Sequence, residues 1–235
     1  MSANQSTLAA AGEPIRLPEP SRAVRRPAMK SRNSVRGFLV ASSPTEPHGR
    51  QIFFESALER NFLVLTLARP DVVDVVEQAV AITYDAGDGR KAKYTLDFLV
   101  TLNTGERIGV EVKPAGRARE ARVVERLRKV AEVLTPEHAD RLCLFTDECF
   151  QPWQATNASR LHEARKVPDP EADAALAEAL RSVNGTISVA DLCEIVGLPC
   201  RGYAAILRAI HARKLTLTKP GVIEPKSLLA RGIAQ

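Results

Sequence analysis

Hydrophobic positions recur with two different periods along this chain of 235 residues. From Lys93 to Pro114 the period is two: Tyr94, Leu96, Phe98 and Val100 alternate with Lys93, Thr95 and Asp97, as in a half-buried strand. Asn103-Thr104-Gly105-Glu106 carries turn chemistry, and Ile108, Val110 and Val112 then resume the alternation. The stretch predicts a β-hairpin. From Gln51 to Ala68 the spacing is helical, through Phe54, Leu58, Phe62 and Leu65, with Glu55 and Glu59 one turn apart beside the apolar stripe. Phe38 to Val40 predicts a short edge strand, followed by a loop to Gly49. Val72 to Ile82 is a β-rich run broken at Glu77-Gln78, and Asp85 to Gly89 is a tight turn. After Pro114 a helix is expected over 117–134, with Val123, Val124, Leu127, Val130 and Ala131 turned inward, then a core strand over 141–146. This order predicts an α/β layer on a mixed sheet.

The last third reads differently. Residues 151–169 form a connector with a short helix, and helices are expected over 170–181, 188–196 and 201–213. Ser188 caps the second with Asp191 three places on, Gly197-Leu198-Pro199 makes the turn, and 215–223 reads as a β-hairpin. Three helices followed by a small wing match the winged form of helix-turn-helix. The expected division is a disordered basic arm over 1–35, a main domain over 36–168 and a winged-helix-like domain over 169–235.

Composition narrows the classes. A hydrophobic content of 45% and mean hydropathy of −0.13 are ordinary for a soluble globular protein. No run of about eighteen apolar residues exists to span a membrane. The N-terminus lacks a basic start with an apolar core, so no secretory signal is expected. Cys143, Cys149, Cys193 and Cys200 form no C-x-x-C pair, which argues against zinc or a disulfide framework and for a reduced, cytoplasmic setting. The net charge of +5 is uneven. Residues 1–51 carry eight Lys/Arg against three acids, 170–235 eight against six, and the middle 17 against 19. Basic ends around a near-neutral centre suit a protein that handles a polyanion, and equally a soluble protein with a basic tail.

Candidate chemistry lies in the hairpin. Glu111 and Lys113 are two apart and share a face. With Leu102 and Ile108 closing a five-residue loop, Asp97 falls opposite Lys113, with Glu111 one diagonal step away. Two adjacent carboxylates repel unless a cation lies between them, and hard oxygen ligands suit Mg²⁺ or Mn²⁺. A divalent ion there can polarise a phosphodiester, with the lysine orienting water or offsetting charge. The same spacing also fits an exposed strand with a charged solvent face. On the helix after Pro114, Arg119, Arg122, Arg126 and Lys129 form a stripe that could follow a phosphate backbone, or a solvated face partly neutralised by Glu120, Glu125 and Glu132. Arg201 and Arg208 fall on the third C-terminal helix, where a recognition helix would lie.

Four of these stretches, with a fifth behind them, resemble the TnsA family, the endonuclease subunit of heteromeric transposases and a member of the PD-(D/E)XK nuclease fold. Ser56-Ala57-Leu58-Glu59 resembles its S-x-L-E helix, Val76-Glu77-Gln78 its E-Q strand, Leu96 to Val100 its D-F-L-V strand, and Val110 to Pro114 its E/Q-V-K-P strand. Leu144-Phe145-Thr146-Asp147 resembles a later F-T-D strand end. The likeness covers roughly Phe38 to Asn157 and implies a restriction-endonuclease-like core that hydrolyses double-stranded DNA with Mg²⁺ or Mn²⁺, cutting the 5′ (non-transferred) strands at transposon ends. It implies an integrase-type transposase and an ATPase regulator as partners. It also implies that Asp97 and Glu111 hold metal with the Val112 carbonyl, that Lys113 positions water and that Glu59 completes the site, with Glu55 competing for that place. Gln78 is read as supporting rather than reacting. A non-catalytic DNA-binding adaptor and a stand-alone nuclease of defence or repair are the alternatives.

Overall fold

The computed structural model describes residues 17–25, 34–43, 46–87 and 89–232. Arg26, Lys30 and Arg32 of the expected arm lie outside these residues. Strand β1 (Gly37–Ser43) pairs antiparallel with β2 (Glu46–Phe54), Gly37 opposite Phe54. The helical spacing read from Gln51 is overridden here: Ile52 and Phe54 are buried two apart, as a strand buries them, and helix α1 (Ala57–Leu67) begins only after Ser56. Ser56 fixes that start because its hydroxyl accepts the Glu59 N–H.

Residues 17–25, expected to be disordered, run along β2 instead. The Glu19 N–H donates to the Gly49 carbonyl at 2.8 Å and the Glu19 carbonyl accepts from Gln51 at 2.9 Å. Ser21 donates to Glu77 and Arg22 pairs with Asp74. These partners are remote in sequence, so composition alone does not reveal them.

Next come β3 (Val72–Glu77), β4 (Ala81–Asp85), β5 (Lys91–Thr95), β6 (Phe98–Leu102) and β7 (Arg107–Val112). Helices α2 (Ala115–Ala118) and α3 (Ala121–Glu132) lead to β8 (Arg141–Phe145). The central sheet has the order β3-β6-β7-β8, with β7 and β8 parallel and the other pairs antiparallel. It is the mixed sheet expected. The strand expected from Lys93 to Val100 is split, however: β5 pairs with β4 in a separate hairpin, and the chain bends at Leu96-Asp97 before β6 enters the central sheet. The single helix expected over 117–134 likewise breaks, because Glu120 is extended and starts α3 afresh. Val123 and Val130 face inward as expected, but Val124 is exposed.

One side of the central sheet packs Phe98, Val100, Ile108, Val110 and Val112 against Phe62 and Leu63 of α1 and Ile52 and Phe54 of β2. The other side packs Leu96 with Ile82 and Val130. Gly109 is needed there: a Cβ on it would stand 2.6 Å from Leu96 Cδ1. Because both faces of β6 are covered, Phe98-Leu99-Val100 is an unbroken apolar run rather than an alternation.

A 3₁₀ turn at Asp147–Cys149 leads to α4 (Pro152–Arg165), then α5 (Pro170–Ser182), β9 (Thr186–Ser188), α6 (Val189–Val196), α7 (Pro199–His211), β10 (Leu215–Leu217) and β11 (Leu228–Arg231). Strands β10, β11 and β9 form a small antiparallel sheet in that order. The return strand lies at 228–231 rather than ending near 223, and β9 is an addition to the sequence reading. Leu176, Leu192, Ile206 and Leu229 centre this unit's core, and Leu161 and Ala164 of α4 pack against it. Asn157 of α4 donates to the Gly221 carbonyl and accepts the Ile223 N–H, tying α4 to the C-terminal loop.

Candidate active site

The site sits where β7 ends beside the Leu96-Asp97 bend. Strand pairing sets Thr101 opposite Arg107 and Phe98 opposite Val110. One further step places Asp97 across from Glu111, not from Lys113. The turn is tighter than expected, with Leu102 N–H bonded to the Glu106 carbonyl. A two-residue change of register keeps each side chain on its own face, so the three groups still meet.

Several hydrogen bonds fix Asp97. Its carbonyl accepts the Gln78 N–H at 2.8 Å, where Gln78 turns out of β3 at φ 43°, a left-handed conformation uncommon for a residue with a side chain. Its Oδ2 accepts the Val112 N–H at 2.8 Å. Lys113 then folds back: its ammonium pairs with Glu111, lies 3.2 Å from the Val112 carbonyl and 3.4 Å from Asp97 Oδ2. Both carboxylates and one backbone carbonyl thus converge on one cationic group. The Lys113 N–H is anchored on the Phe145 carbonyl, and the Ala115 N–H on Asp147 Oδ1.

Glu111 is 2% exposed. Burial, and then the nearby Asp97 charge, push its carboxyl up to about 7 against the opposing pull of Lys113. Desolvation lowers the Lys113 ammonium, but the charges of Asp97 and Glu111 outweigh it, so the net shift is upward. Tyr94, missed by the sequence reading, lies beside Glu111, and burial followed by that charge raises its phenol. Among the described residues Glu111 Oε2 and the Tyr94 hydroxyl have no well-formed hydrogen bond. A buried carboxylate oxygen without a well-formed hydrogen bond, beside a second carboxylate already drawn to a cation, fits a divalent ion.

Glu59 is placed differently. Its Oε2 accepts the Glu55 N–H at 2.7 Å and its Oε1 the Ser56 hydroxyl at 2.9 Å, which ties its carboxylate to the start of α1. Burial raises its carboxyl, and the Asp97 charge acts in the same direction, so the two sense each other. Among the described residues no three Asp, Glu, His or Cys side chains gather as a metal cage. Glu55 is directed to Arg25 and Gln78.

The basic residues expected to meet DNA are mostly matched by acids. Arg119 pairs with Glu148 and Arg122 with Glu120. Arg126 lies over the Tyr94 ring, 5.3 Å from its centroid, and Lys129 caps the Ala86 carbonyl. Arg201 clasps Asp169 and Glu171, while Arg208 binds Asp173 and the Ala164 and Val167 carbonyls. Arg201 and Arg208 therefore bind α7 to the start of α5.

Residues 69–147 match the family model of the TnsA-like endonuclease N-terminal domain, of Tn7 type. This segment is a TnsA-like endonuclease domain. It contains Asp97, Glu111, Val112 and Lys113, and it stops short of Glu59 and of everything after Asp147. No curated protein matches the chain. A domain of this kind points to a nuclease in a transposition context, and among the described residues no helix is long and apolar enough to cross a membrane.

Proposed function

We propose that the protein is a divalent-metal-dependent DNA endonuclease that cuts the 5′ strands at transposon ends while a partner transposase of the integrase type handles the 3′ strands, under an ATPase regulator. The observation that carries the catalytic part is the convergence of Asp97, Glu111 and the Val112 carbonyl on the Lys113 ammonium.

Asp97, Glu111 and the Val112 carbonyl would hold Mg²⁺ or Mn²⁺. When bound, the ion supplies Lewis-acid polarisation of the phosphodiester and a coordinated water of lowered pKa. Lys113, if released from its carboxylate partners, would stay at the same strand end, where its positive charge would orient the water and offset charge developing on phosphate oxygens. The Asp97 carboxylate is held in place by the Val112 N–H, so it stays on the β7 strand end when Lys113 moves. Glu59 acts by fixing the first turn of α1 beside Asp97. The C-terminal unit, with three helices and a three-stranded sheet, is read as a winged helix that brings the nuclease to DNA; its Arg201 and Arg208 support the packing of α7 rather than base contacts.

The test is strand-resolved cleavage of an end-labelled transposon-end duplex with and without the partner transposase. Hydrolysis confined to the 5′ strand, and dependent on the partner, is expected. Cutting of both strands of unrelated duplexes by the protein alone would favour a stand-alone nuclease instead.

A further inference from the structure

A cleft of about 720 Å³ lies between α1 and α4, lined by Arg60, Asn61, Asp147, Phe150, Thr156 and Arg160 among others. Its two arginines differ from those considered above. Arg60 donates to the Ser159 hydroxyl at 3.0 Å, and Arg160 to the Ile223 carbonyl. Among the described residues neither forms an ion pair, whereas Arg119, Arg122, Arg201 and Arg208 all do. Two half-buried guanidinium groups thus face a roomy cleft with no carboxylate of the described residues at ion-pair distance. The acid in the cleft, Asp147, has Oδ1 engaged by the Ala115 N–H.

The cleft is also joined to the candidate active site. Arg60 follows Glu59, whose carboxyl senses Asp97. Phe150 in its wall stacks on Phe145, and the Phe145 carbonyl holds the Lys113 N–H. Arginine beside hydroxyl and amide side chains is the usual equipment for gripping phosphate oxygens, which sets position without reading sequence. We infer that this α1–α4 cleft binds the phosphodiester backbone of the DNA flanking the scissile bond, with Arg60 and Arg160 as its phosphate contacts. The inference rests on the DNA-endonuclease reading and assigns that reading's backbone grip to a different surface from the α3 stripe.

Binding of a fluorescent duplex, followed by anisotropy in EDTA over a series of salt concentrations, tests the cleft apart from cutting. Arg60→Ala should bind several-fold more weakly, with the slope of log K against log salt smaller by about one, and Arg60→Lys should recover most of both. Arg160→Ala should add a further loss, and Arg181→Ala, an exposed residue of α5 paired with Glu178, should change neither quantity. Because Arg160 also supports the Ile223 carbonyl, Arg60→Ala and Arg60→Glu carry the result should Arg160→Ala fold poorly. Wild-type affinity and slope in both Arg60 variants would overturn the inference while leaving the endonuclease reading in place. A wild-type protein that binds no duplex would overturn both.

Discussion

Lys113 Nζ stands 3.4 Å from Asp97 Oδ2 while also pairing with Glu111, so one ammonium neutralises two carboxylates at the end of β7. A divalent ion binding to the same oxygens must displace it. Removing the ammonium leaves the two acids without their cation, which favours any other cation that reaches them. Lys113→Met is therefore expected to bind Mn²⁺ more tightly than the wild type, by calorimetry or electron paramagnetic resonance, while losing DNA cleavage. Weaker Mn²⁺ binding by this variant would contradict the shared position.

A second ionic cluster holds the fold rather than the site. Arg50, 2% exposed, bonds Glu46, Asp74 and the Val75 carbonyl and faces Glu77, itself 1% exposed, at 3.6 Å. Glu77 in turn receives the Ser21 hydroxyl and the Phe53 N–H. Stripping one partner from such a pair leaves a buried charge uncompensated, at a cost of about 3–5 kcal/mol. Arg50→Met should lower stability on that scale in urea unfolding, and Arg50→Met with Glu77→Leu should cost less than the two single changes together. Additive losses would argue that the pair is not coupled.

Acid should loosen the junction between the two halves of the chain. Burial, with repulsion from Lys166 and Arg165 against a smaller opposing pull from Glu163, pushes His162 of α4 down to about 4. Burial and Arg165 do the same to His211 of α7, again to about 4. The unfolded chain takes up protons on these rings near pH 6.5, and the folded chain does not until about pH 4, so their contribution is complete above about 6.5 and is lost as pH falls towards 4. Thermal melting followed across that range should show a declining midpoint, flattened in His162→Gln/His211→Gln. An equal decline in that double variant would assign the acid sensitivity to other groups.

Much of this arrangement was legible because it is local. The two-residue alternation through Ile108, Val110 and Val112 is a strand, and Ser188 with Asp191 is a helix start, in sequence and structure alike. The misread places involve partners far along the chain. Gln51 to Phe54 carry helical spacing, yet pairing with β1 makes them a strand. The bend at Asp97 depends on the Gln78 N–H and on Leu96 packing over Gly109, neither of which periodicity encodes. Glu59 is different, because the partners that hold its carboxylate, the Ser56 hydroxyl and the Glu55 N–H, are local. The acids that pair with Arg201 and Arg208, namely Asp169, Glu171 and Asp173, are about thirty residues earlier, so the helix's own sequence does not show them.

Cleavage of a transposon-end duplex by Asp97→Asn, in Mg²⁺ and with the partner transposase present, bears on the carboxylate pair above all. The substitution keeps the side chain's shape and removes the charge that faces Lys113 and Glu111. Hydrolysis should fall on the order of a hundredfold or more, the scale for losing a group that acts as one unit with its neighbours, while melting temperature and DNA affinity stay near wild type. Cutting by Asp97→Asn at the wild-type rate would contradict the proposal that Asp97 and Glu111 together hold the metal for strand hydrolysis.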